Sequence, residues 1–359
     1  MSPTGKGGHT QACLYQSGDD AMKAVAYTRS LPISDPASLV DVDLPDPPAP
    51  TGRDLLVRVE AVSVNPVDTK IRHRVDPAGQ PKVLGWDAVG TVIAAGAEAR
   101  LFAPGDAVYY AGAIDRPGSN AELQLVDERI VGHKPASLSV EAAAALPLTA
   151  ITAYELMFER IGIQPGASGT LLVVGAAGGV GSIAVQLARA LTGLTVIGTA
   201  SRPETRDWVL SLGAHHVIDH SGDLAAQAKA IAPAGIDYVL SLTATTQHFD
   251  ALVEAMAPQA RLGLIDDPDQ PLDITKLKRK SISLHWEFMY TRSLFGTPDI
   301  EAQHRILTEV AALVDAGRLR STLTEVVGPI DAAHLRRAHE ILESGRALGK
   351  LVLSGFSPG

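Results

Sequence analysis

The chain has 359 residues, of which 46% are hydrophobic and 20% charged, and its net charge is −9 at pH 7. This length exceeds what one hydrophobic core usually organises, so we expect two domains, and the acidic balance argues against a nucleic-acid partner because phosphate backbones are bound by clustered Lys and Arg. No window reaches the roughly 18 apolar residues of a membrane span and no signal-peptide pattern opens the chain, so we expect a cytoplasmic protein.

The first segment, residues 1–21, is rich in Gly, Ser, Thr and Asp and predicts a disordered extension. It holds Cys13, the single cysteine of the chain, which we interpret as an incidental exposed thiol. One cysteine excludes internal disulfides and every zinc cluster built from several cysteines.

Two patterns follow along the chain. Residues 22–148 carry short alternating runs such as "DLLVRVEAVSV" and "GDAVYYAG", broken by Pro- and Gly-rich turns, which predicts a β-barrel-type domain. In residues 149–320 apolar strands alternate with amphipathic helices, which predicts a doubly wound parallel sheet. Residues 321–359 add a helix and a closing strand that we expect to complete the first domain. The predicted fold class is α/β with these two units.

A glycine-rich loop lies between a buried strand and a helix in "LLVVGAAGGVGSIAVQLARA", residues 171–190. Gly175 and Gly178 would allow the tight turn and the approach of a diphosphate, and Gly181 would let helix and strand pack closely. The amides of the helix N-terminus would then face the anion. The context predicts a dinucleotide site, whereas the alternative is a glycine-rich strand-helix turn without a ligand.

The next strand ends in "GTASRPETR", where a protein specific for NAD usually places an acidic residue. Here Ser201 and Arg202 occupy that place. A guanidinium suits a 2′-phosphate because it forms paired, charge-assisted hydrogen bonds, so the sequence favours NADPH. The alternative is that Arg202 is a solvated charge and Glu204 binds the ribose.

Several motifs carry a family resemblance, among them "NPVDTKIR" (65–72), "GWDAVG" (85–90), "LFAPGDAVYY" (101–110) and "AALPLTAITAYEL" (144–156). Together with the loop "GAAGGVG" and the strand "GKLVL", they resemble the medium-chain dehydrogenase/reductase superfamily and its quinone oxidoreductase branch. "KRKSISLHWEFM" resembles the bacterial zinc-type alcohol dehydrogenase-like subgroup. The resemblance implies a GroES-like substrate domain and a Rossmann domain.

Zinc ligands of the family are absent from the matching positions. Pro66 and Val67 stand where the zinc enzymes carry Cys, and Trp86 and Asp87 stand where they carry His and Glu. A catalytic zinc needs about three protein ligands. We therefore expect no metal.

The resemblance implies three catalytic candidates. Asn65 matches an Asn that lines the cofactor site and can donate a hydrogen bond. Lys70 stands where the family often has Tyr; its ammonium would polarise a carbonyl or steady an enolate, or it is a surface charge on a short helix. Thr149 matches the threonine that faces the nicotinamide, or it caps the following helix.

The remaining candidates also follow from the resemblance. Arg346 and Lys350 match positions that contact the cofactor phosphates, or they balance the last helix. Trp86, Tyr110 and Phe288 are candidate walls of an apolar cleft, or core residues. His285 lies in a stretch that passes near the nicotinamide in the family, or it is structural. Further residues implied at the cofactor are Gly179, Val180, His220, Leu242 and Phe288.

Taken together, these features predict a zinc-independent, NADPH-dependent oxidoreductase that transfers a hydride to quinones or activated carbonyl compounds, with a small molecule as its partner. One alternative is a zinc alcohol dehydrogenase with unrecognised ligands. Another is a non-catalytic NADPH-binding or redox-sensing protein. The resemblance also implies a homodimer, formed along the strand "SISLHWEF".

Overall fold

The computed structural model describes residues 21–357. The predicted extension and Cys13 therefore lie outside the described residues, except for Ala21, which begins the first strand. Within the described part of the chain, no helix combines the length and apolar character needed to cross a membrane.

The N-terminal unit is built mainly from strands. Its strands are β1 (Ala21–Tyr27), β2 (Val40–Pro45), β3 (Asp54–Ser63), β4 (Lys82–Val83), β5 (Ala88–Ala95), β6 (Ala107–Tyr110), β7 (Leu123–Asp127) and β8 (Val131–His133). Its helices are α1 (Pro66–Arg74), α2 (Val140–Ala144) and α3 (Pro147–Tyr154).

The middle of the chain alternates strands and helices. The strands are β9 (Thr170–Val174), β10 (Thr195–Thr199), β11 (His216–Ile218), β12 (Ile236–Ser241), β13 (Met256–Leu264) and β14 (Ser283–Trp286). The helices are α4 (Gly179–Leu191), α5 (Pro203–Ser211), α6 (Leu224–Ile231), α7 (Thr245–Ala255), α8 (Thr291–Phe295) and α9 (Ala302–Asp315). The chain ends with β15 (Leu323–Ile330), α10 (Ala332–Glu343) and β16 (Lys350–Phe356).

A six-stranded parallel sheet organises the middle unit, in the order β11-β10-β9-β12-β13-β14. Its central strand β9 is buried on both faces: Leu171 and Val173 belong to the main core, and Leu172 and Val174 to a second core on the opposite face. This is the continuous apolar run expected of a parallel strand covered by helices on both sides. The strand order reverses between β9 and β12, where ligands bind in sheets of this type.

The C-terminal strands join the N-terminal unit, because β16 pairs antiparallel with β3 and parallel with β15 in a seven-stranded sheet, order β15-β16-β3-β5-β6-β8, while β7 pairs with β3. A three-stranded sheet, β2-β1-β4, lies beside it. The α/β fold class with a barrel-type and a doubly wound unit is thus confirmed. The return of β16 also carries Lys350 to the boundary between the two units.

Two helices end at identifiable residues. The Ala-rich residues 140–154 form α2 and α3, which are separated at Pro147, and the chain continues as a π-helix over Glu155–Arg160. Helix α7 ends at Ala255, because β13 begins at Met256. On the outer edge, β14 exposes about half of the Trp286 side chain; the homodimer expected along this strand stays a prediction.

Candidate active site

The glycine loop turns sharply between β9 and α4. Gly175 has φ +78°, a conformation that favours glycine, and its N–H donates to Thr199 Oγ1 at 3.0 Å. A Cβ at Gly181 would lie 2.3 Å from the Gly175 carbonyl oxygen, so helix and strand touch there. At Gly178 the nearest heavy atom to such a Cβ is 3.5 Å away. The backbone at Gly178 therefore has space in front of it, while Gly175 and Gly181 are required by packing.

Several other predicted cofactor residues lie at the same sheet edge. Leu242 follows β12, donates its N–H to the Val174 carbonyl at 3.3 Å, and lies beside Gly175. Val180 sits in the first turn of α4. His220 follows β11, two strands away, and its ring packs edge-on against His248 at 5.9 Å.

The C-terminal segment reaches this edge as well. The Gly349 N–H donates to the Ala177 carbonyl in the glycine loop at 2.9 Å. Arg202 donates to the Arg346 carbonyl at 3.3 Å and pairs with Glu204 at 3.2 Å, its side chain 38% exposed. Ser201 is exposed beside it. The structure thus brings Arg202 and Arg346 together near the loop. The contact of Arg202 with the cofactor stays a prediction.

A buried group of polar side chains, here called the central cluster, comprises Asn65, Asp68, Asp87, Thr149 and Lys350. Lys350 Nζ donates to the Val64 carbonyl at 2.9 Å, to Asn65 Oδ1 at 2.5 Å and to Asp87 Oδ2 at 2.9 Å. An ammonium has three N–H bonds, so all of its donors are used. Lys350 therefore bonds to three protein groups at the cluster. Its contact with a cofactor phosphate stays a prediction.

Asp87 accepts hydrogen bonds on both oxygens. The Leu148 N–H donates to Oδ1 at 2.7 Å, and Asn65 Nδ2 donates to Oδ2 at 2.8 Å. Burial raises the pKa of Asp87, and the charge of Lys350 opposes that rise. Because every neighbour donates, the carboxylate form fits this site best, and the ammonium compensates its buried charge.

Asn65 caps α1 from a position fixed on both sides. Its N–H donates to Asp68 Oδ2 at 2.7 Å, a contact that the spacing Asn-x-x-Asp could have predicted. Its side-chain oxygen accepts from Lys350 and its amide donates to Asp87. A catalytic hydrogen bond from Asn65 stays a prediction.

Asp68, the partner of this cap, is buried as well. Burial raises the pKa of Asp68 to about 7, and Asp68 Oδ1 has no hydrogen-bond partner among residues 21–357.

Thr149 connects the central cluster to the glycine loop. Its hydroxyl donates to the Leu146 carbonyl at 3.1 Å. A Cβ built at Gly179 would lie 3.0 Å from Thr149 Cγ2 and 2.9 Å from Lys350 Cδ. The start of α4 therefore lies directly against two members of the central cluster.

Lys70 is placed outside this cluster. Its Nζ lies 3.3 Å from Asp267, which also pairs with Arg74 at 2.7 Å, and about 39% of the Lys70 side chain is exposed. The structure thus shows Lys70 as a surface charge on the short helix α1 that pairs with the loop after β13. Its catalytic role stays a prediction.

The predicted cleft walls are only partly brought together. Trp86 is buried and donates Nε1–H to the Ala113 carbonyl at 3.2 Å. The centroid of its ring lies 6.4 Å from that of Tyr290, and the Tyr290 centroid lies 5.4 Å from that of the half-exposed Phe288.

The other two predicted pocket residues lie elsewhere. Tyr110 is fully buried. His285 lies on the outer strand β14, 2.9 Å from Ser283 Oγ, with its pKa lowered by burial and by Arg261. Sequence reasoning missed Tyr290, for which no local pattern gives a signal.

Two buried glutamates, Glu155 and Glu287, hold the segment that carries Tyr290. Arg292 pairs with Glu155 at 2.5 Å and Arg160 with Glu287 at 2.7 Å. Burial and the negative charge of Glu287 raise the pKa of Glu155 to about 9, and burial also raises the pKa of Glu287. We therefore expect the pair to retain one proton at neutral pH, because two buried carboxylates side by side are unfavourable.

This retained proton makes stability depend on pH. The folded pKa of Glu155, about 9, lies above the reference value of 4.5, so wild-type stability is expected to fall as pH rises between these values, by up to about 1.4 kcal/mol per pH unit. Glu155→Gln keeps a donor to Glu287 without a titrating proton. Urea unfolding across this pH range should show a flatter profile for E155Q, whereas exposed Glu254→Gln should follow wild type. Parallel profiles for E155Q and wild type would contradict the shared proton.

The central cluster does not fit a zinc ion. Pro66, Val67 and Trp86 offer no ligand atoms in their side chains, and the Asp87 carboxylate is bonded by Lys350. Across residues 21–357, no group of three or more His, Cys, Asp or Glu side chains is arranged to hold a metal ion.

Comparison with known proteins places these features in a family. The model for the alcohol dehydrogenase GroES-like domain matches residues 51–136, and the zinc-binding dehydrogenase model matches residues 212–353. A zinc-type alcohol dehydrogenase-like protein of Staphylococcus aureus is 41% identical over 311 residues, covering 86% of this chain and 92% of the relative.

Solved structures agree with this assignment. A Rhizobium etli protein assigned to the zinc-dependent alcohol dehydrogenases has 55% identity and a TM-score of 0.90, covering 94% of this chain and 99% of its own. A quinone oxidoreductase of Pseudomonas syringae has 27% identity and a TM-score of 0.79, and a mycobacterial protein complexed with NADPH has 28% and 0.79, each covering 93% of this chain and 99% of its own.

The motif resemblance is thereby confirmed. The two most similar of these proteins cover 86% and 94% of this chain. The chain belongs to the medium-chain dehydrogenase/reductase superfamily, in its zinc-type alcohol dehydrogenase-like and quinone oxidoreductase group, and is an oxidoreductase of that family.

Proposed function

We propose that this protein is a zinc-independent, NADPH-dependent reductase that transfers a hydride to quinones, enones or other activated carbonyl compounds. The observation that carries this proposal is the contact of the glycine loop with the central cluster, through Gly179 against Thr149 and Lys350. A dinucleotide on the loop would end at a buried polar site between the two units. Transfer between two bound molecules depends on such proximity and orientation.

The residues present fit a nicotinamide dinucleotide, which supplies a hydride when bound. Gly175 and Gly181 form a turn that side chains would fill, and Gly178 leaves the backbone open at the start of α4. Arg202 and Arg346 lie together at the end of β10, where they would bind a 2′-phosphate. Two comparisons support the proposal: one similar protein is a quinone oxidoreductase and another was solved with NADPH.

The aromatic side chains near the central cluster suit a flat acceptor. Reduction of a quinone or enone needs orientation and an electrostatically favourable site for the oxygen, without an obligatory metal. Three aromatic rings lie in a row: the half-exposed Phe288, then Tyr290, then the buried Trp86. Flat acceptors fit such aromatic surfaces.

The direct test mixes the purified full chain with NADPH and a panel of small quinones, enones and aldehydes. We expect the absorbance of the reduced nicotinamide to fall with at least one quinone or enone. Tight NADPH binding without turnover of any acceptor would instead favour a non-catalytic binding protein. One zinc per chain in protein purified without chelator, with activity that follows the metal, would favour a zinc alcohol dehydrogenase.

Cofactor choice gives a second test. Arg202→Ala is expected to weaken NADPH binding by about 10- to 100-fold, the usual range for hydrogen bonds to a charged group, and to leave NADH binding unchanged. Fluorescence titration with each coenzyme measures both affinities. Lys229→Ala, which removes an exposed charge paired with Glu254, is the matched control. An equal loss for NADPH and NADH would show that Arg202 does not contact a 2′-phosphate.

A further inference from the structure

Reduction of an acceptor requires a proton as well as a hydride, and most polar hydrogens of the central cluster are already bonded. Lys350 uses all three N–H bonds on protein oxygens. Thr149 donates to the Leu146 carbonyl, and the Asn65 amide donates to Asp87. Lys70 pairs with Asp267 at the surface. None of these groups holds a proton that is free for an acceptor.

Tyr290 differs from these groups. Its hydroxyl is buried and has no hydrogen-bond partner among residues 21–357. An unbonded buried hydroxyl is costly, so such an atom points to a missing partner. The phenol comes from the segment after β14 in the nucleotide-binding unit, and its ring packs on Trp86 of the barrel unit. Tyr290 therefore stands where the two units meet.

The charges of two carboxyl groups of the central cluster act on this phenol. Burial raises the pKa of Tyr290 well above its usual value, and the charges of Asp68 and then Asp87 add to the rise. Both oxygens of Asp87 already accept hydrogen bonds, from Lys350, Asn65 and the Leu148 N–H. Asp68 Oδ1 makes no hydrogen bond of standard length and angle within residues 21–357, although the Gly85 N–H acts to lower the pKa of Asp68. Asp68 is therefore the carboxyl group with capacity for an additional hydrogen bond.

We propose that the Tyr290 hydroxyl donates the proton to the acceptor oxygen, and that Asp68 resupplies it. This inference rests on the proposed reductase function. Tyr290 is assigned as the catalytic residue because its hydroxyl would touch the acceptor, and Asp68 acts through it.

With a quinone as the acceptor, the hydride and the proton come from different groups. The quinone receives a hydride, with its electron pair, from reduced NADPH and becomes a hydroquinone monoanion. The Tyr290 O–H bond breaks as the new O–H bond forms on that anion, while the Asp68 carboxyl proton moves to the phenol oxygen. Asp68 then takes a proton from water. Because the pKa of Asp68 is raised to about 7, its protonated form is present near neutral pH.

The position of Tyr290 is fixed by its neighbours in sequence. Gln303 Nε2 donates to the Met289 carbonyl at 2.5 Å, one residue before Tyr290. Glu287, three residues before it, is held by Arg160 at 2.7 Å. The phenol is therefore presented from a segment anchored on both α9 and the π-helix, which suits a group that must keep its orientation.

The experiment compares wild type with Tyr290→Phe, Asp68→Asn and a control, Tyr154→Phe, whose hydroxyl bonds Glu309. Turnover of NADPH with a small quinone is measured with its solvent deuterium isotope effect, and NADPH affinity by fluorescence. Removing a general acid usually costs about 10²- to 10⁴-fold in rate, so we expect a kcat loss in that range for Y290F with unchanged NADPH affinity. Y154F should match wild type.

The outcomes separate the two proposals. The assignment is supported if the wild type turns over and Y290F has a lower kcat. D68N should also have a lower kcat, together with a changed solvent isotope effect. Y290F as fast as wild type overturns this inference and leaves the reductase function standing. Loss of NADPH affinity in Y290F to the same degree as turnover also overturns it, since the residue would then be structural. If no acceptor in the panel supports NADPH oxidation by the wild-type protein, the proposed function and this inference are both overturned.

Discussion

Replacing Lys350 with methionine is expected to lower the free energy of unfolding by about 3–5 kcal/mol, because it leaves the Asp87 carboxylate buried without its cation. Lys350 is 3% exposed and Asp87 fully buried, so water cannot replace the lost partner. The same change releases Asn65 Oδ1 and the Val64 carbonyl from their donor. Urea unfolding followed by tryptophan fluorescence measures the loss.

Two variants make this result specific. Lys229→Met removes an exposed lysine that pairs with Glu254, and such surface pairs contribute at most about 1 kcal/mol. The double variant Lys350→Met/Asp87→Asn removes both charges and should regain part of the stability. The deficit of K350M should also shrink at acidic pH, because an unpaired buried Asp87 escapes its penalty by taking up a proton. A K350M protein as stable as K229M would contradict the ion-pair role.

The glycine loop provides the second large effect. Gly181→Ala places a methyl group 2.3 Å from the Gly175 carbonyl oxygen and 2.6 Å from Ala176 Cα, both backbone atoms that cannot move aside cheaply. We expect the strand-helix junction to shift, with a stability loss of about 1–3 kcal/mol for an overpacked site and a fall in NADPH affinity of at least about tenfold. Thermal unfolding and fluorescence titration measure the two effects.

Gly178→Ala is the matched variant, since its Cβ would meet no heavy atom closer than 3.5 Å and its φ is −74°. Its unliganded stability should stay near that of wild type. Its NADPH affinity should still fall, because the added methyl group would occupy the space through which a diphosphate approaches the backbone. Unchanged NADPH affinity in G178A would place the diphosphate elsewhere and remove the basis of the cofactor site.

The sequence was sufficient wherever structure depends on neighbours in the chain. Apolar runs separated by amphipathic segments identified the doubly wound sheet, because a parallel sheet buried on both faces needs that pattern. The turn at Gly175 and the packing at Gly181 were predictable since both contacts arise within a few residues of one strand-helix junction. The Asn65–Asp68 cap was readable for the same reason, although it was missed.

Contacts between distant segments required the tertiary structure. Lys350 bonds to Asn65 across 285 residues, whereas the family resemblance implied only a phosphate contact for it. Tyr290 reaches Trp86 only because β14 and the segment after it bring the nucleotide-binding unit against the barrel. The sequence by itself therefore determined the fold class and the glycine loop, whose causes are local periodicity and backbone freedom. The tertiary structure alone decided which buried charges and hydroxyls face one another, because that depends on how distant side chains pack.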